Sequence, residues 1–380
     1  MVKIYVVALM ALLTAGAVAD ESGPIVRGGI GDKPFMAQTG RTRIGGYTEA
    51  HFRYGRAAGF VEELTFEAKR FNLFTYTSVS DRVRVASELE FEEGGEEIKV
   101  EMALLDFEIH PALIFRAGII LSPLGRFNLA HDSPANELTD RPLVSTELIP
   151  TALSEAGMGV YGALFPKGGM RITYELYGVN GFDEGLVFGD EAGTRFAAGR
   201  GNFEDNNNRP SLVGRIGVSP LQALELGLSV HTGPYNVWKI EGLEIDERRV
   251  ATIWAIDWDG RWRRWHLQGE YVGASIDVPA ESAVFQGSQN GYYAELSGTF
   301  GKNRLAALPG SFFTAVLRLG AVDFDADGRG DDVKRQTLGL NFRPHVDTVF
   351  KLDYQRTTEA DPFANELDSA ALLFSAATYF

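Results

Sequence analysis

The 380-residue chain contains no cysteine. That excludes a disulfide framework, a thiolate nucleophile and a cysteine-type zinc site. Beyond its first residues it also lacks any long uninterrupted apolar run, so helical membrane spans are not expected. Helical periodicity is missing from the rest of the chain as well. There is no excess of basic residues: 36 Lys and Arg face 51 Asp and Glu, a formal charge of −15 that argues against nucleic acid as a partner. The same charge is compatible with a membrane, because a transmembrane barrel carries its charges in lumen and loops. A hydrophobic content of 45% with mean hydropathy −0.08 does not separate a soluble protein from such a barrel. No phosphate-binding loop or dinucleotide fingerprint is present. The histidines, His51, His110, His131, His231, His266 and His345, do not sit in a G-x-S-x-G context. Neither an enzyme nor an organic cofactor is expected.

What is present begins with MVKIYVVALMALLTAGAVAD. Lys3 gives a positive start, Ile4 to Leu13 is apolar, and Ala17-Val18-Ala19 is a small-x-small cleavage site. This reads as a signal peptide, 1–19, cleaved after Ala19, so the chain is expected to be exported. Residues 20–42 carry Gly and Pro without periodicity and read as a periplasmic N-terminal lead-in.

From residue 43 onward the chain alternates with the period of two that a sheet requires. In RVRVASELEF, Val83, Val85, Leu89 and Phe91 oppose Arg82, Arg84, Glu88 and Glu90. In EIKVEMALLDF, Ile98, Val100, Met102 and Leu104 oppose Glu97, Lys99 and Glu101. ALELGLSVH sets Leu224, Leu226, Leu228 and Val230 against Glu225, Ser229 and His231. Sixteen candidate strands follow: 43–53, 66–78, 81–92, 97–108, 113–121, 157–164, 168–178, 211–219, 222–232, 248–257, 261–273, 290–300, 311–322, 333–343, 347–357 and 369–380. Most have the length needed to cross a bilayer at a tilt.

The connections alternate too. Those after even-numbered segments are mostly tight, as at Ser80-Asp81, His110-Pro111, Ser219-Pro220, Asp259-Gly260 and Arg343-Pro344. Those after odd-numbered segments are mostly long: 54–65, 122–156, 179–210, 233–247, 274–289, 323–332 and 358–368. Gly301 to Gly310 is long for a turn, and EEGGEE is short for a loop. Outer-membrane barrels keep short turns at one end and long loops at the other. The final strand ends in Phe380, where a barrel would close its seam. The predicted fold is all-β, a transmembrane antiparallel barrel of about 16 strands over 43–380.

One connection stands apart. Leu121 to Gly162 runs LSPLGRFNLAHDSPANELTDRPLVSTELIPTALSEAGMGVYG, longer than structureless loops inside compact domains usually are. Leu124, Phe127, Leu129, Leu143, Leu148 and Ile149 supply apolar anchors. It follows the fifth segment, so it is expected to be the third extracellular loop, with 122–156 folded inward into the pore.

Several segments resemble the phosphate-selective porins O and P of Gram-negative outer membranes. Ile44 to Tyr54 (IGGYTEAHFRY) is similar to the family's first strand, and Lys69 to Glu93 to its second hairpin, including Ser87 to Glu90. The long connection carries the closest resemblance: Pro123-Leu124-Gly125, Asn128, His131, Arg141-Pro142, Ile149-Pro150, and Glu155-Ala156-Gly157 through Gly162. The resemblance covers roughly the first 160 residues. It implies a sixteen-stranded, homotrimeric porin in outer-membrane lipid whose third loop folds into the channel. It also implies small hydrophilic solutes or anions such as phosphate as the cargo.

The candidate constriction residues are Arg126, Asn128, His131, Asp132, Glu137, Asp140, Arg141 and Glu147. The face opposite the apolar one gives a lumen wall bearing Arg53, Arg70, Arg82, Arg84, Lys99, Arg116, Arg171, Arg215, Arg264, Arg318, Arg335 and Lys351. Glu49, Glu88, Glu90, Glu97, Glu101, Glu175, Glu225, Glu270, Glu295 and Asp353 share that face. The family's markedly basic channel is therefore not evident here. Interleaved charge of this kind reads either as a mutually paired network that stiffens the wall or as a transverse field that orients solutes.

Asp323, Asp325 and Asp327 with Gly328 have the spacing that opens a calcium-binding loop. Lys334 stands at the twelfth position, where a bidentate acid would be required, so Asp331 or Asp332 would have to substitute. The alternative is a solvated acidic hairpin tip. For the whole chain the expected function is a diffusion porin. The other reading is a non-conducting outer-membrane barrel whose loops act in binding or envelope structure.

Overall fold

The computed structural model describes residues 29–166, 168–279 and 285–380. The expected signal peptide and the start of the lead-in lie outside the described residues. The strands run β1 Thr42–Ala57, β2 Phe60–Ser78, β3 Val83–Glu92, β4 Glu97–His110, β5 Leu113–Leu121 and β6 Ser154–Leu164. They continue with β7 Arg171–Val179, β8 Ser211–Leu221, β9 Leu224–Pro234, β10 Lys239–Ile240, β11 Leu243–Glu244 and β12 Val250–Trp262. The last six are β13 Trp265–Ile276, β14 Ser288–Phe300, β15 Phe312–Asp323, β16 Asp332–His345, β17 Thr348–Ala360 and β18 Glu366–Tyr379. Strands β10 and β11 form a small hairpin inside one loop. The other sixteen close into a single antiparallel barrel, each pairing with its sequence neighbours.

The seam lies between β1 and β18, in register from Tyr47 opposite Tyr379 to Ala57 opposite Ser369. Phe380 extends it: its N–H donates to Gly46 O at 3.0 Å and its carbonyl accepts from Gly46 N–H at 3.2 Å. Closure satisfies the edge hydrogen bonds that an open sheet would expose to lipid.

Alternation decides which way each side chain points. In β17, Val349, Lys351, Asp353, Gln355 and Thr357 are buried inward, whereas Phe350, Leu352 and Tyr354 face out. The outward apolar row replaces a core, since lipid takes the place of packed protein. Near the short-turn end the outward rings of Phe300, Phe313, Phe342, Phe350 and Phe374 form a ladder, with centroids 5.1 to 6.5 Å apart. Such girdles sit at the membrane–water interface.

The sequence-based segments match the barrel strands in number; Ser219-Pro220, Asp259-Gly260 and Arg343-Pro344, expected as turns, lie inside β8, β12 and β16, which run on to turns at 222–223, 263–264 and 346–347. Two further details differ. Residues 54–65 are not a loop. Strands β1 and β2 continue to a two-residue turn at Ala58-Gly59, both with positive φ (47° and 87°), the geometry of a tight hairpin. In β4 the pairing slips, so that Glu88 opposes Met102 while Leu89 opposes Val100, leaving Glu101 as an extra, bulged residue. One inserted residue moves every later side chain to the other face. Met102 and Leu104 are thus buried inward, and Leu105, Phe107 and Ile109 take the outward face.

Residues 30–37, within the expected lead-in, form two short 3₁₀ turns packed on the inner wall. Phe35 is buried, its ring stacked on Phe74 at 5.7 Å and adjoining Tyr47. A Cβ on Gly45 would lie 2.4 Å from that of Phe35, so β1 needs glycine where this segment approaches.

Candidate pore constriction

The connection 122–153 starts at the end of β5 and returns to β6, and Asn128 clasps its root. Its side-chain amide donates to Ser122 O (2.8 Å) and Leu153 O (3.1 Å), and its carbonyl accepts from Leu153 N–H (2.8 Å). Asn128 is fully buried and so braces the loop rather than facing an aperture. At the next bend Gly125 has φ +68°, and an added Cβ would meet Ile149 Cδ1 at 2.8 Å. Its N–H donates to Ser229 Oγ on β9 at 2.9 Å.

Apolar side chains then bind the loop to one part of the wall. Leu124, Leu143, Val144, Leu148, Ile149 and Leu153 pack with Ile253, Ala255, Val272, Ala274, Tyr293 and Val322, all inward-facing on β12 to β15. Phe182, Leu186, Val187 and Phe196 from the connection 180–210 join the same cluster. The sequence signal for this patch is the lapse of alternation in VATIWAIDW, where Ala251, Ile253 and Ala255 are apolar between outward Trp254 and Ile256.

Polar contacts fix the rest of the loop on widely separated strands. Phe127 N–H donates to Glu270 on β13 (2.5 Å) and Thr139 N–H to Asp353 on β17 (2.7 Å). Lys351 donates to the carbonyls of Ser133 (2.9 Å) and Leu138 (3.2 Å). Asp140 accepts from Arg53 on β1 (2.5 Å) and Gln355 (3.1 Å), while its backbone carbonyl accepts from Arg318 (2.6 Å). Burial alone would raise the Asp140 carboxyl. The guanidiniums of Arg53 and Arg335, with the hydrogen bonds from Arg53 and Gln355, outweigh it and hold the group below the usual carboxylate range.

The remaining constriction candidates part company. Arg126 pairs with Asp259 (2.9 Å), Glu137 with Arg343 (3.3 Å) and Asn341 (2.7 Å). Both line a cavity of about 1120 Å³ under the loop, at the short-turn end. His131 and Asp132 line a second cavity of about 260 Å³, bounded by β2 to β7 and by residues 29–36. Asp132 pairs with Lys33 and accepts from Tyr379 Oη at 2.9 Å. Arg141 donates to Thr151 O (2.8 Å), and Glu147 accepts from Thr146 Oγ1 (3.1 Å). Asp140 and Arg141 adjoin a gap of about 10 Å³.

On the wall, charge is paired. Arg70 reaches Glu49 (3.3 Å), Glu90 (3.3 Å) and Glu92 (2.8 Å). Arg215 meets Asp257 (2.6 Å), Arg171 meets Glu225 (2.9 Å) and Arg116 meets Asp106 (2.8 Å). Arg318 pairs with Glu295 (2.5 Å), Arg84 with Glu108, and Lys99 with Glu92 (3.1 Å). Arg335 Nε donates to Thr357 Oγ1 (3.1 Å). Arg82 and Arg264 need correcting. They occupy the turns 79–82 and 263–264 and are exposed there, because their strands begin one residue later.

Around the larger cavity cations outnumber acids, with Lys33, Arg126 and Arg343 paired to Asp132, Asp259 and Glu137. Lys33, Arg126, Arg261, Arg263, Arg264, Lys302 and Arg343 line it against the carboxylates Asp32, Glu137 and Asp347. Of the two arginines moved from strand to turn, Arg264 adds to that excess and Arg82 does not.

In the acidic loop after β15 two of the carboxylates named for calcium are engaged in local contacts. Asp331 is taken by Arg195 (2.6 Å), and Asp323 accepts from its neighbour Asp325 N–H (3.1 Å). Neither these two nor Asp325 and Asp327 form a cluster of ligating groups. Among the described residues, three such groups converge elsewhere, at Glu88, Glu101 and His131.

A closed sixteen-strand antiparallel barrel with a charged inner wall and a long loop tied across its interior is the fold of the porin structures. Solved structures of the same fold include the outer membrane channel DcaP of Acinetobacter baumannii (TM-score 0.59, 13% identity, covering 89% of this chain and 97% of that one). Others are the trimer form of OmpT from Vibrio cholerae (TM-score 0.57, 9%, 90% and 100%) and an anion-selective porin from Comamonas acidovorans (TM-score 0.54, 12%, 89% and 99%). By sequence the chain is 27% identical over 357 residues to an uncharacterized protein of Aquifex aeolicus (strain VF5), covering 87% of this chain and 78% of that one. No established family profile matches.

Proposed function

We propose that the chain is an outer-membrane diffusion porin that passes small hydrophilic solutes with a preference for anions. The observation carrying this reading is the cation excess around the cavity of about 1120 Å³ beneath the loop 122–153. A low-dielectric wall focuses the field of such a cluster and raises the local concentration of anions. Phosphate is the finer form of the proposal, supported by the motifs shared with phosphate-selective porins. A trimer is the proposed assembly, in keeping with the trimer form of the similar OmpT barrel.

The test is the zero-current potential across a planar bilayer under a potassium chloride gradient, repeated with phosphate. The sign expected is that of anion preference. Arg126→Ala removes one cation and leaves His266 (2.9 Å) and Arg261 (3.7 Å) beside Asp259. One charge at about 8 Å in water is worth on the order of 0.5 kcal/mol, so the permeability ratio should fall at least about twofold. An unchanged ratio would remove Arg126 from selection.

A second reading, a non-conducting barrel, is favoured by the apolar cluster that joins the two long connections to β12–β15, and by residues 30–37 on the opposite wall. Folded protein that inserts without conductance would support it.

A further inference from the structure

Glu101, at the bulge in β4, points inward beside Glu88 of β3, and the loop 122–153 brings His131 to the same place. All three side chains are buried, with 1%, 4% and 2% exposure for Glu88, Glu101 and His131. One ligating atom from each lies within 4.8 Å of the others. The tautomer follows from chemistry. His131 Nδ1 lies 2.9 Å from Asn128 O, which can only accept, so Nδ1 carries a hydrogen. Nε2 then presents its lone pair to Glu101 Oε2, 3.4 Å away. Glu88 Oε1 accepts from Asn72 Nδ2 (2.8 Å), while its Oε2 is buried without a partner.

Three acceptors thus face one another with no donor between them. Of the neighbouring cations, Lys33 pairs with Asp132 and Arg70 with Glu49, Glu90 and Glu92, while Arg141 donates to Thr151 O and keeps Nε and Nη2 buried without a partner. Buried carboxylates in this arrangement call for a cation. We propose that Glu88, Glu101 and His131 bind one first-row transition dication of zinc-like preference. One imidazole and two carboxylates form a three-ligand set that leaves a coordination position open. That position faces the cavity of about 260 Å³, which Glu88 and His131 line. The hydrogen bonds of Asn128 O to His131 and of Asn72 to Glu88 orient the ligands in the way outer-shell partners do. A bound ion would fasten the loop to β3 and β4 whether or not the barrel conducts.

The experiment uses the full-length folded protein in detergent, stripped with chelator and dialysed against Zn²⁺, with Co²⁺ as the optical probe. One equivalent of zinc should remain per chain, and Co²⁺ should show the intense visible bands of low coordination. His131→Ala and Glu101→Gln should each weaken Zn²⁺ binding more than about a hundredfold, and Asn72→Ala about tenfold. Heat-modifiable migration on gels verifies that each variant is a folded barrel. Absence of retained zinc in the wild type would overturn the proposal and leave a shared proton as the occupant. Retention unaffected by His131→Ala, or Ca²⁺ binding in place of Zn²⁺, would overturn it equally.

Discussion

At the scale of the residue, the loop's position depends on a few side chains that do no solute chemistry. Asn128 uses both ends of its amide to hold the loop's entry and exit strands together. Truncation to alanine loses these bonds and leaves buried backbone groups unpaired, at a cost of about 3 kcal/mol to loop docking. Limited proteolysis should cut the Asn128→Ala loop while the barrel keeps its heat-modifiable migration; a loop as resistant as wild type would contradict the clasp. Gly125→Ala should act in the same direction, since both its φ and the contact with Ile149 exclude a side chain. The sequence showed Asn128 and Gly125 as parts of a motif but not what they do. Their partners, Leu153 and Ser229, are brought near only by the closed barrel.

At the scale of the element, the strands were legible because lipid on one face and charge on the other impose strict alternation. The bulge at Glu101 was not, since one extra residue in EIKVEMALLDF leaves the local pattern plausible in either register. The apolar patch on β12 to β15 left a trace as lost alternation, which by itself does not say which loop covers it. Arg82 was misplaced by a single residue at the start of β3, and Arg264 because Asp259-Gly260 reads as a turn while β12 runs on to Trp262. The loop's own anchoring makes a pH prediction. Asp140 is held below its ordinary value of 3.8, so its contribution is full above that pH and is lost only as pH falls further, through the lowered value. Single-channel conductance should therefore stay level from pH 7 to pH 5 as far as this anchor is concerned, and change only in stronger acid. Asp140→Asn should bring the acid-type behaviour to neutral pH, because it keeps the shape and removes the charge that holds Arg53.

At the scale of the molecule, architecture was readable from the rhythm of strands and connections, while charge distribution was not. Cations and acids alternate along the inner faces and mostly cancel in pairs. The excess appears only where turns 263–264 and 301–311, the segment 32–34 and the loop 122–153 meet around one cavity. The central claim is that solutes cross beside that loop. Planar-bilayer recording of the purified wild-type protein tests it most directly. Stable conductance should appear in steps of three per insertion, with anions carrying the larger share of current. Folded protein that inserts without any conductance, or that conducts with cation preference, would contradict it.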